Sequence, residues 1–485
     1  MNAFIMPFLP ELILLLGGLV LFVITLGDSL EKRARTAAIT IALGLLAASV
    51  LCFGQEAVLF DGAYRIDAFS QLLKLIISAG FVAIVILGGN LPDIRPAIKP
   101  EYHLFLTLSM TGLVMLVSCV DIITLVIALE LSAFPLYFLV AMRREREGQR
   151  IQMESAIKYI MFGIAANGVM LFGFSYLYGL TGTTSLPEMM VKLQPVMHTP
   201  IAIVGLTLAF CGIFYKLAIF PFHFWTPDVY QGSSNETASL IASLPKVGGV
   251  AVLVRLASLA SPDNTFIPIL LSALAIVSMF YGNLIALAQK DLKRLLGFSG
   301  IAHAGYALVG FVAFNQAGFA AALYYITGYM VMVIACFVVI CRVSRDGTNV
   351  AISELAGLHR RSPLLALTLI VGLFALAGLP PFVGFMGKLG LLTTALARGH
   401  LALVIIAVIN AAIAIYYYLR VIREAVFGDD GGDLTPIVLD RSTQALCVLL
   451  IVAIIVLGVA PAPIINAISG SLVGLNLPLP PAAVY

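Results

Sequence analysis

Residues 200–221 read PIAIVGLTLAFCGIFYKLAIFP, and this stretch decides the class of fold. It carries a single charge, Lys216, and closes on Pro221. A run of about twenty apolar residues is what an α-helix needs to cross the hydrocarbon core of a bilayer. Such runs recur along the whole chain of 485 residues, which is 61% hydrophobic and 11% charged, with a mean hydropathy of +1.05. A soluble domain keeps about a quarter of its residues charged. This chain cannot cover itself with a polar surface, so lipid is its solvent. The runs lack the alternation of a membrane barrel, which leaves helices as the spanning element.

Marking the runs predicts an all-α integral membrane protein of about fourteen transmembrane helices. They lie near 8–27, 36–54, 68–90, 102–119, 121–141, 155–180, 200–221, 237–260, 266–289, 295–314, 317–342, 363–397, 400–420 and 443–466. No soluble domain fits between them; the longest polar stretches are 142–154, 181–199, 222–236, 343–362 and 421–442. Basic residues in membrane loops mark the cytoplasmic side. All odd-numbered loops except the seventh are basic, carrying Lys32, Arg33, Arg35, Arg95, Lys99, Arg143, Arg144, Arg146, Arg150, Lys290, Lys293, Arg294, Arg342, Arg345, Arg360, Arg361, Arg420, Arg423 and Arg441. Even loops offer only Arg65, Lys192 and Arg398. Both termini are therefore expected on the periplasmic side of a bacterial inner (plasma) membrane.

Composition also excludes function classes. Net charge is +3 and the basic residues are scattered, which gives nucleic acid no footprint. The six cysteines, Cys52, Cys119, Cys211, Cys336, Cys341 and Cys447, show no C-x-x-C or Cys/His ligand spacing. They read as small apolar packers, and no haem, iron–sulfur cluster or zinc is expected in this chain. The first helix does not read as a removable signal, because no basic residue precedes it and Glu11 interrupts its apolar core.

The loops do not absorb every charge. Glu130 lies mid-helix five, Lys216 late in helix seven, Lys246 mid-helix eight and Lys388 in helix twelve, with His303 in the middle of helix ten. Each charge at a helix centre costs about 2.5–3.5 kcal/mol on insertion scales. One glutamate cannot pair three lysines, so two lysines are neutral, hydrated or matched to another chain. Lost hydration disfavours the charged form of a lysine, which suits such a group to gaining and losing a proton near neutrality. His303 is a candidate relay, although a neutral imidazole can equally bond a neighbouring helix. Lys74, Lys158 and Arg255 lie nearer helix ends and are expected to snorkel to the interface; Glu154 and Lys158 are spaced for a local pair.

Two helices are broken. Lys216-Leu-Ala-Ile-Phe-Pro221-Phe-His223-Phe-Trp225 interrupts helix seven, and Gly378-Leu-Pro380-Pro381-Phe-Val-Gly384 precedes Lys388 in helix twelve. Proline removes a donor and frees the carbonyl four residues back. Pro221 thus frees Leu217, and Pro380 and Pro381 free Leu376 and Ala377, and freed carbonyls at membrane depth must meet protein or water. A hydrated break beside a deep lysine is a proton station. The broken helices lie five apart in the chain, so they run in opposite directions. That predicts two inverted five-helix repeats, helices 4–8 (residues 101–260) and 9–13 (261–425). They follow an N-terminal three-helix segment (1–100) and precede helix fourteen and the tail (426–485).

These motifs resemble the antiporter-like membrane subunits of proton-pumping NADH:quinone oxidoreductase (respiratory complex I). The resemblance runs from Pro10-Glu11 to helix fourteen. Its most specific pieces are Lys216 to Trp225, Pro227-Asp-Val-Tyr230-Gln-Gly232, Leu244-Pro-Lys246 and Gly378 to Lys388. Within the family it is closest to the subunit N type. Subunits M and L usually read Pro-Asp-Ala-His where Tyr230 ends this motif, and M carries Glu where Lys388 stands. The resemblance implies that Glu130 pairs with Lys216, that Lys246 is the central relay and that Lys388 serves the second half-channel. It implies no cofactor in this chain; NADH, FMN, iron–sulfur clusters and quinone belong to the rest of the complex. It implies other membrane subunits and a peripheral NADH-oxidising arm as partners. The chain departs from the family after Gly232: Ser233-Ser-Asn235-Glu236-Thr237 stands where Ala-Pro-x-Pro is frequent, and reads as a helix cap. The competing reading is a subunit of a multisubunit cation/proton antiporter. A purely structural anchor is the third.

Overall fold

A computed structural model describes residues 5–27, 31–146, 150–260, 264–344, 346–428 and 435–475; Arg345 and Tyr485 lie outside them. Among the described residues, eleven helices are long and apolar enough to cross a membrane, and four apolar helices of 10–17 residues accompany them. In chain order these and their neighbours are α1 (Leu9–Thr25), α2 (Glu31–Leu51), a hairpin of β1 (Ala57–Leu59) and β2 (Tyr64–Ile66), α3 (Ala68–Gly88), α4 (Lys99–Leu116) and α5 (Ile122–Ala141). Next come α6 (Ile151–Thr181), α7 (Leu186–Leu193), α8 (Pro200–Ala209), α9 (Cys211–Leu217), α10 (Trp225–Gly232), α11 (Asn235–Ala257), α12 (Phe266–Ala286) and α13 (Leu292–Val312). The chain continues through α14 (Gln316–Val343), α15 (Leu358–Arg361), α16 (Pro363–Ala377), α17 (Val383–Ala397), α18 (Leu401–Phe427), α19 (Arg441–Val459) and α20 (Ala462–Val473).

Short polar side chains start the long helices by taking the free amides of their first turns. Asp67 accepts from Ser70 N (2.8 Å) ahead of α3 and Asp121 from Ile123 N (2.8 Å) ahead of α5. Asp291 accepts from Arg294 N (2.8 Å) ahead of α13 and Asn315 from Gly318 N (2.7 Å) ahead of α14. Helices α5 and α13 share more than a cap. Ile122 N donates to Thr184 O (2.9 Å) and Leu186 N returns to Val120 O (2.8 Å). At the start of α13, Leu292 N donates to Val350 O (3.0 Å) and Ile352 N returns to Lys290 O (2.9 Å), the same two-bond clasp.

Helices α11 and α13 are buried along their whole length and α14 along most of it, so they form the axis of the protein. In α6, α12, α18 and α19 fewer than half of the residues in the apolar span are buried, which leaves a face of each open to lipid. Helices α4 and α5 touch backbone to backbone at Gly112, where a Cβ would stand 2.2 Å from Ser132 N.

Four expectations change. The fold holds a two-stranded antiparallel hairpin, Ala57 opposite Ile66, which short polar-flanked strands do not announce by hydropathy. The stretch 222–236, read as a loop, contains α10, whose Trp225, Val229 and Tyr230 are buried; Asp228 and Gln231 lower its hydropathy. Helix fourteen stops at Val459, and a second helix starts beyond Pro461, whose ring cannot continue the ladder. Lys293, counted among loop residues, lies in the first turn of α13 fully buried, donating to Ser233 O at 2.7 Å.

Candidate functional site

Both breaks are built alike. α9 ends where Ala218 turns left-handed (φ 64°), and Ile219 N bonds Phe214 O at 2.9 Å. α16 ends at Gly378 (φ 84°), and Leu379 N bonds Phe374 O at 3.1 Å. These closures satisfy part of each exposed helix end and leave further carbonyls open. Lys388 fills that gap at the second break. From the second turn of α17 its Nζ donates to Leu376 O (3.1 Å) and Ala377 O (3.0 Å) and sits 4.9 Å from the ring centroid of Tyr306.

At the first break Lys216 occupies the last turn of α9. Its Nζ donates to Ser132 Oγ on α5 at 2.6 Å. Glu130, two residues earlier on α5, accepts from Asn167 Nδ2 of α6 at 2.5 Å. Lys216 and Glu130 are thus neighbours through α5 rather than direct ion-pair partners. The stem of Lys216 passes Gly249 on α11, where a Cβ would lie 3.9 Å from Lys216 Cγ. That is three residues from Lys246.

Lys246 donates to Gly300 O of α13 at 2.9 Å and lies 5.1 Å from the Tyr329 ring centroid. The absence of a side chain at Gly300 makes the approach possible: a Cβ there would be 3.0 Å from Lys246 Nζ and 2.9 Å from Tyr329 OH. His303, one turn along α13, lies with its ring tilted 4.9 Å from that of Tyr329. Its Nδ1 is 2.6 Å from Tyr325 OH, and its Nε2 is 3.0 Å from Tyr418 OH, which in turn is 2.5 Å from Ser299 Oγ. Tyr325 and Tyr306 pack edge to face at 6.4 Å, and Tyr306 faces Lys388. The groups in question are half-buried Glu130 beside Asn167, and the buried Lys216/Ser132, Lys246, Tyr329, His303, Tyr325/Tyr306 and Lys388. Each ammonium meets a neutral oxygen, those of Lys246 and Lys388 also meet a tyrosine ring, and the ion pairs among the described residues use other cations. Among the described residues, no three His, Cys, Asp or Glu side chains come together as a metal-ligand set.

The family described as "NADH:quinone oxidoreductase/Mrp antiporter, TM" matches residues 119–414. The chain is 66% identical to NADH-quinone oxidoreductase subunit N 2 of Opitutus terrae, over 98% of this chain and 99% of that protein. The chain belongs to the subunit N family. NADH-quinone oxidoreductase subunit N of Nitrosomonas europaea is 36% identical over 94% of this chain and 95% of that one. Among solved structures, a chain of respiratory complex I from Thermus thermophilus superposes with a TM-score of 0.81 at 30% identity, covering 95% of this chain and all of the other. A chain of the Mrp complex from Dietzia sp. shares the fold alone, at a TM-score of 0.86 and 20% identity.

In this subunit N family chain, two cations expected to snorkel do the opposite. Lys74 is fully enclosed, 2.5 Å from Glu11 Oε1, which also accepts from Tyr64 OH at 2.5 Å. Arg255 is buried against Asp67 (3.4 Å), Val117 O (3.1 Å) and the Phe69 ring. The signal that could have found the first pair is Glu11 itself, a lone acid inside α1 that needs a cation. Lys158 does form its local pair with Glu154 (2.7 Å) and adds Asp228 of α10 (2.8 Å), which Arg294 also binds (2.7 Å). The tyrosines around His303 carried no signal: a buried aromatic at helical spacing reads as packing until its hydroxyl partner is seen. All six cysteines are buried and unpaired.

Proposed function

We propose that this chain moves protons through the membrane part of an NADH-quinone oxidoreductase, coupled to electron transfer from NADH to quinone in other subunits. The observation that supports the reading is the set of protonatable groups inside the helix bundle: half-buried Glu130 and buried Lys216, Lys246, His303 and Lys388. Glu130 and Lys216 form the input side of the first half. Lys246 is the central relay and His303 with its tyrosines links it to Lys388. The charged members are three ammonium groups and one carboxylate, which favours protons over metal cations and so disfavours the cation/proton antiporter reading. The chain itself binds no NADH, FMN, iron–sulfur cluster or quinone on this reading, and is inactive alone. Its partners are the other membrane subunits and a peripheral NADH-oxidising arm.

Fourteen crossings follow from adding α1, α4 and the broken pair α16–α17 to the eleven long spans. The clasp shared by α5 and α13, and the matching closures at Ala218 and Gly378, support two inverted repeats. The basic loops face the cytoplasm of a bacterial cell and both termini the periplasm. A tag in the loop at Arg146 is expected to be labelled only from the cytoplasm, and one after Tyr485 only from outside. Labelling of the C-terminal tag from the cytoplasm would put the crossing number off by one.

The assignment to a complex is tested on a native gel of mild-detergent membrane extract. The chain should migrate with a large NADH-oxidising species and several hydrophobic subunits. Recovery as a small species that pumps protons alone would overturn the assignment.

A further inference from the structure

The segment that departs from the family, Ser233 to Thr237, opens α11, the helix that carries Lys246. The N-cap there is a serine rather than Glu236. Ser234 is the N-cap, its Oγ accepting from Thr237 N at 3.2 Å and bonding Thr237 Oγ1 at 2.9 Å. Glu236 is nevertheless enclosed, at 2% exposure, and its Oε2 has no protein partner. A carboxylate in a first turn gains at most about 1–2 kcal/mol from the helix dipole. Ser234, its own backbone N–H and the nearby Lys293 ammonium offset part of the cost of enclosing this carboxylate, but the unmet Oε2 still carries a desolvation cost that protein leaves uncompensated.

Its neighbours share the condition. Ser233 Oγ, Asn235 Oδ1 and Ser239 Oγ are also buried with no protein partner, which makes four such residues between 233 and 239. Buried polar atoms that protein leaves unmet are bonded by water. From Glu236 the polar residues continue as Ser239, Ser243 and Lys246, all buried. Steps of three, four and three put them on one face of the helix, over about 15 Å of axis. At its lower end, Lys246 Nζ and the unpartnered Tyr230 OH converge on Gly300. At its upper end, Arg143 donates to Gln231 O (2.7 Å) and to Asp93 (2.6 Å). Arg146, which also binds Asp93, brings that polar cluster to the surface with 37% of its side chain exposed. Lys293 supplies a buried positive charge beside the turn through Ser233 O.

We infer that Glu236 is the entry station through which protons from the basic-loop face reach Lys246, along the polar face of α11 formed by Ser239 and Ser243. The inference rests on the proton-translocating reading above. The Glu236 carboxylate takes a proton from the aqueous side and passes it to water held against Ser239. Water hands a proton to the neutral Lys246 amine, and the carboxylate is left ionised for the next one.

The test uses whole membranes, with NADH-driven proton uptake into inverted vesicles normalised to complex assembled on a native gel. Glu236→Gln keeps size and polarity but cannot carry the proton, and should lower uptake by about a hundredfold, the low end of what is lost with a positioned proton-transfer group. Glu236→Asp should recover most of it, which a purely structural role would not require. Ser239→Ala/Ser243→Ala leaves the cap intact and should also slow uptake. Wild-type uptake by assembled Glu236→Gln, beside a defective Lys246→Ala, overturns the entry station while leaving the relay standing. If Glu236→Gln does not assemble, the double serine variant decides: wild-type uptake there overturns the inference. Wild-type uptake by Lys246→Ala would instead sink the underlying reading.

Discussion

Lys74→Ala should abolish most assembled complex, the largest stability effect expected of any single substitution in the N-terminal three-helix segment. The pair it breaks is fully enclosed: Lys74 Nζ lies 2.5 Å from Glu11 Oε1, with both side chains at 0% exposure. Removing one partner strands the other charge in a low-dielectric interior, at about 3–5 kcal/mol. That approaches the entire stability of many domains. Tyr64 OH, held by the same oxygen, would lose its ordered acceptor, and it anchors β2 to α1. The cost belongs to the stranded charge rather than to the pair. Glu11→Gln/Lys74→Met should therefore restore assembly close to wild type, since an amide still accepts from Tyr64 and methionine fills the lysine's volume. The readout is complex recovered on native gels after stepwise heating. A double variant as poor as Lys74→Ala would mean that the ion pair itself, not charge neutrality, holds the segment.

The sequence and the structure part company in instructive places. The all-helical membrane class was legible because a bilayer imposes one length and one composition on every crossing. The deep lysines were legible because charge is rare there and stands out against residues such as those at 200–221. Lys74 and Arg255 were misread for the opposite reason. Distance from a helix end predicts snorkelling only if the side chain faces lipid, and their facing is set by tertiary packing against Glu11 and Asp67. α10 was hidden by its own function: a half-helix lining a polar interior carries Thr226, Asp228 and Gln231, so hydropathy reads it as loop. The partners of the lysines, Ser132, the Gly300 carbonyl and the carbonyls of Leu376 and Ala377, come from other segments. Only the last two could be named from sequence, because proline chemistry identifies them.

Lys246→Ala should leave the complex assembled and lower NADH-driven proton uptake by about a hundredfold or more, as expected when a positioned proton-transfer group is lost. Lys246 lies near the middle of α11 with its ammonium on the Gly300 carbonyl and the Tyr329 face, and no carboxylate fixes its charge. On the proposed route it stands between Lys216 and His303. Lys246→Arg should rescue at most part of the activity, because a guanidinium keeps the charge but does not release its proton in the working range. Assembly should survive, because the lysine satisfies one carbonyl and leaves no stranded counter-ion when it is removed, in contrast to Lys74. The decisive measurement is proton uptake into inverted vesicles per assembled complex, for wild type, Lys246→Ala and Lys246→Arg side by side. The account predicts strong loss in the first variant and partial loss in the second. Wild-type uptake by assembled Lys246→Ala would contradict it and place the proton path elsewhere.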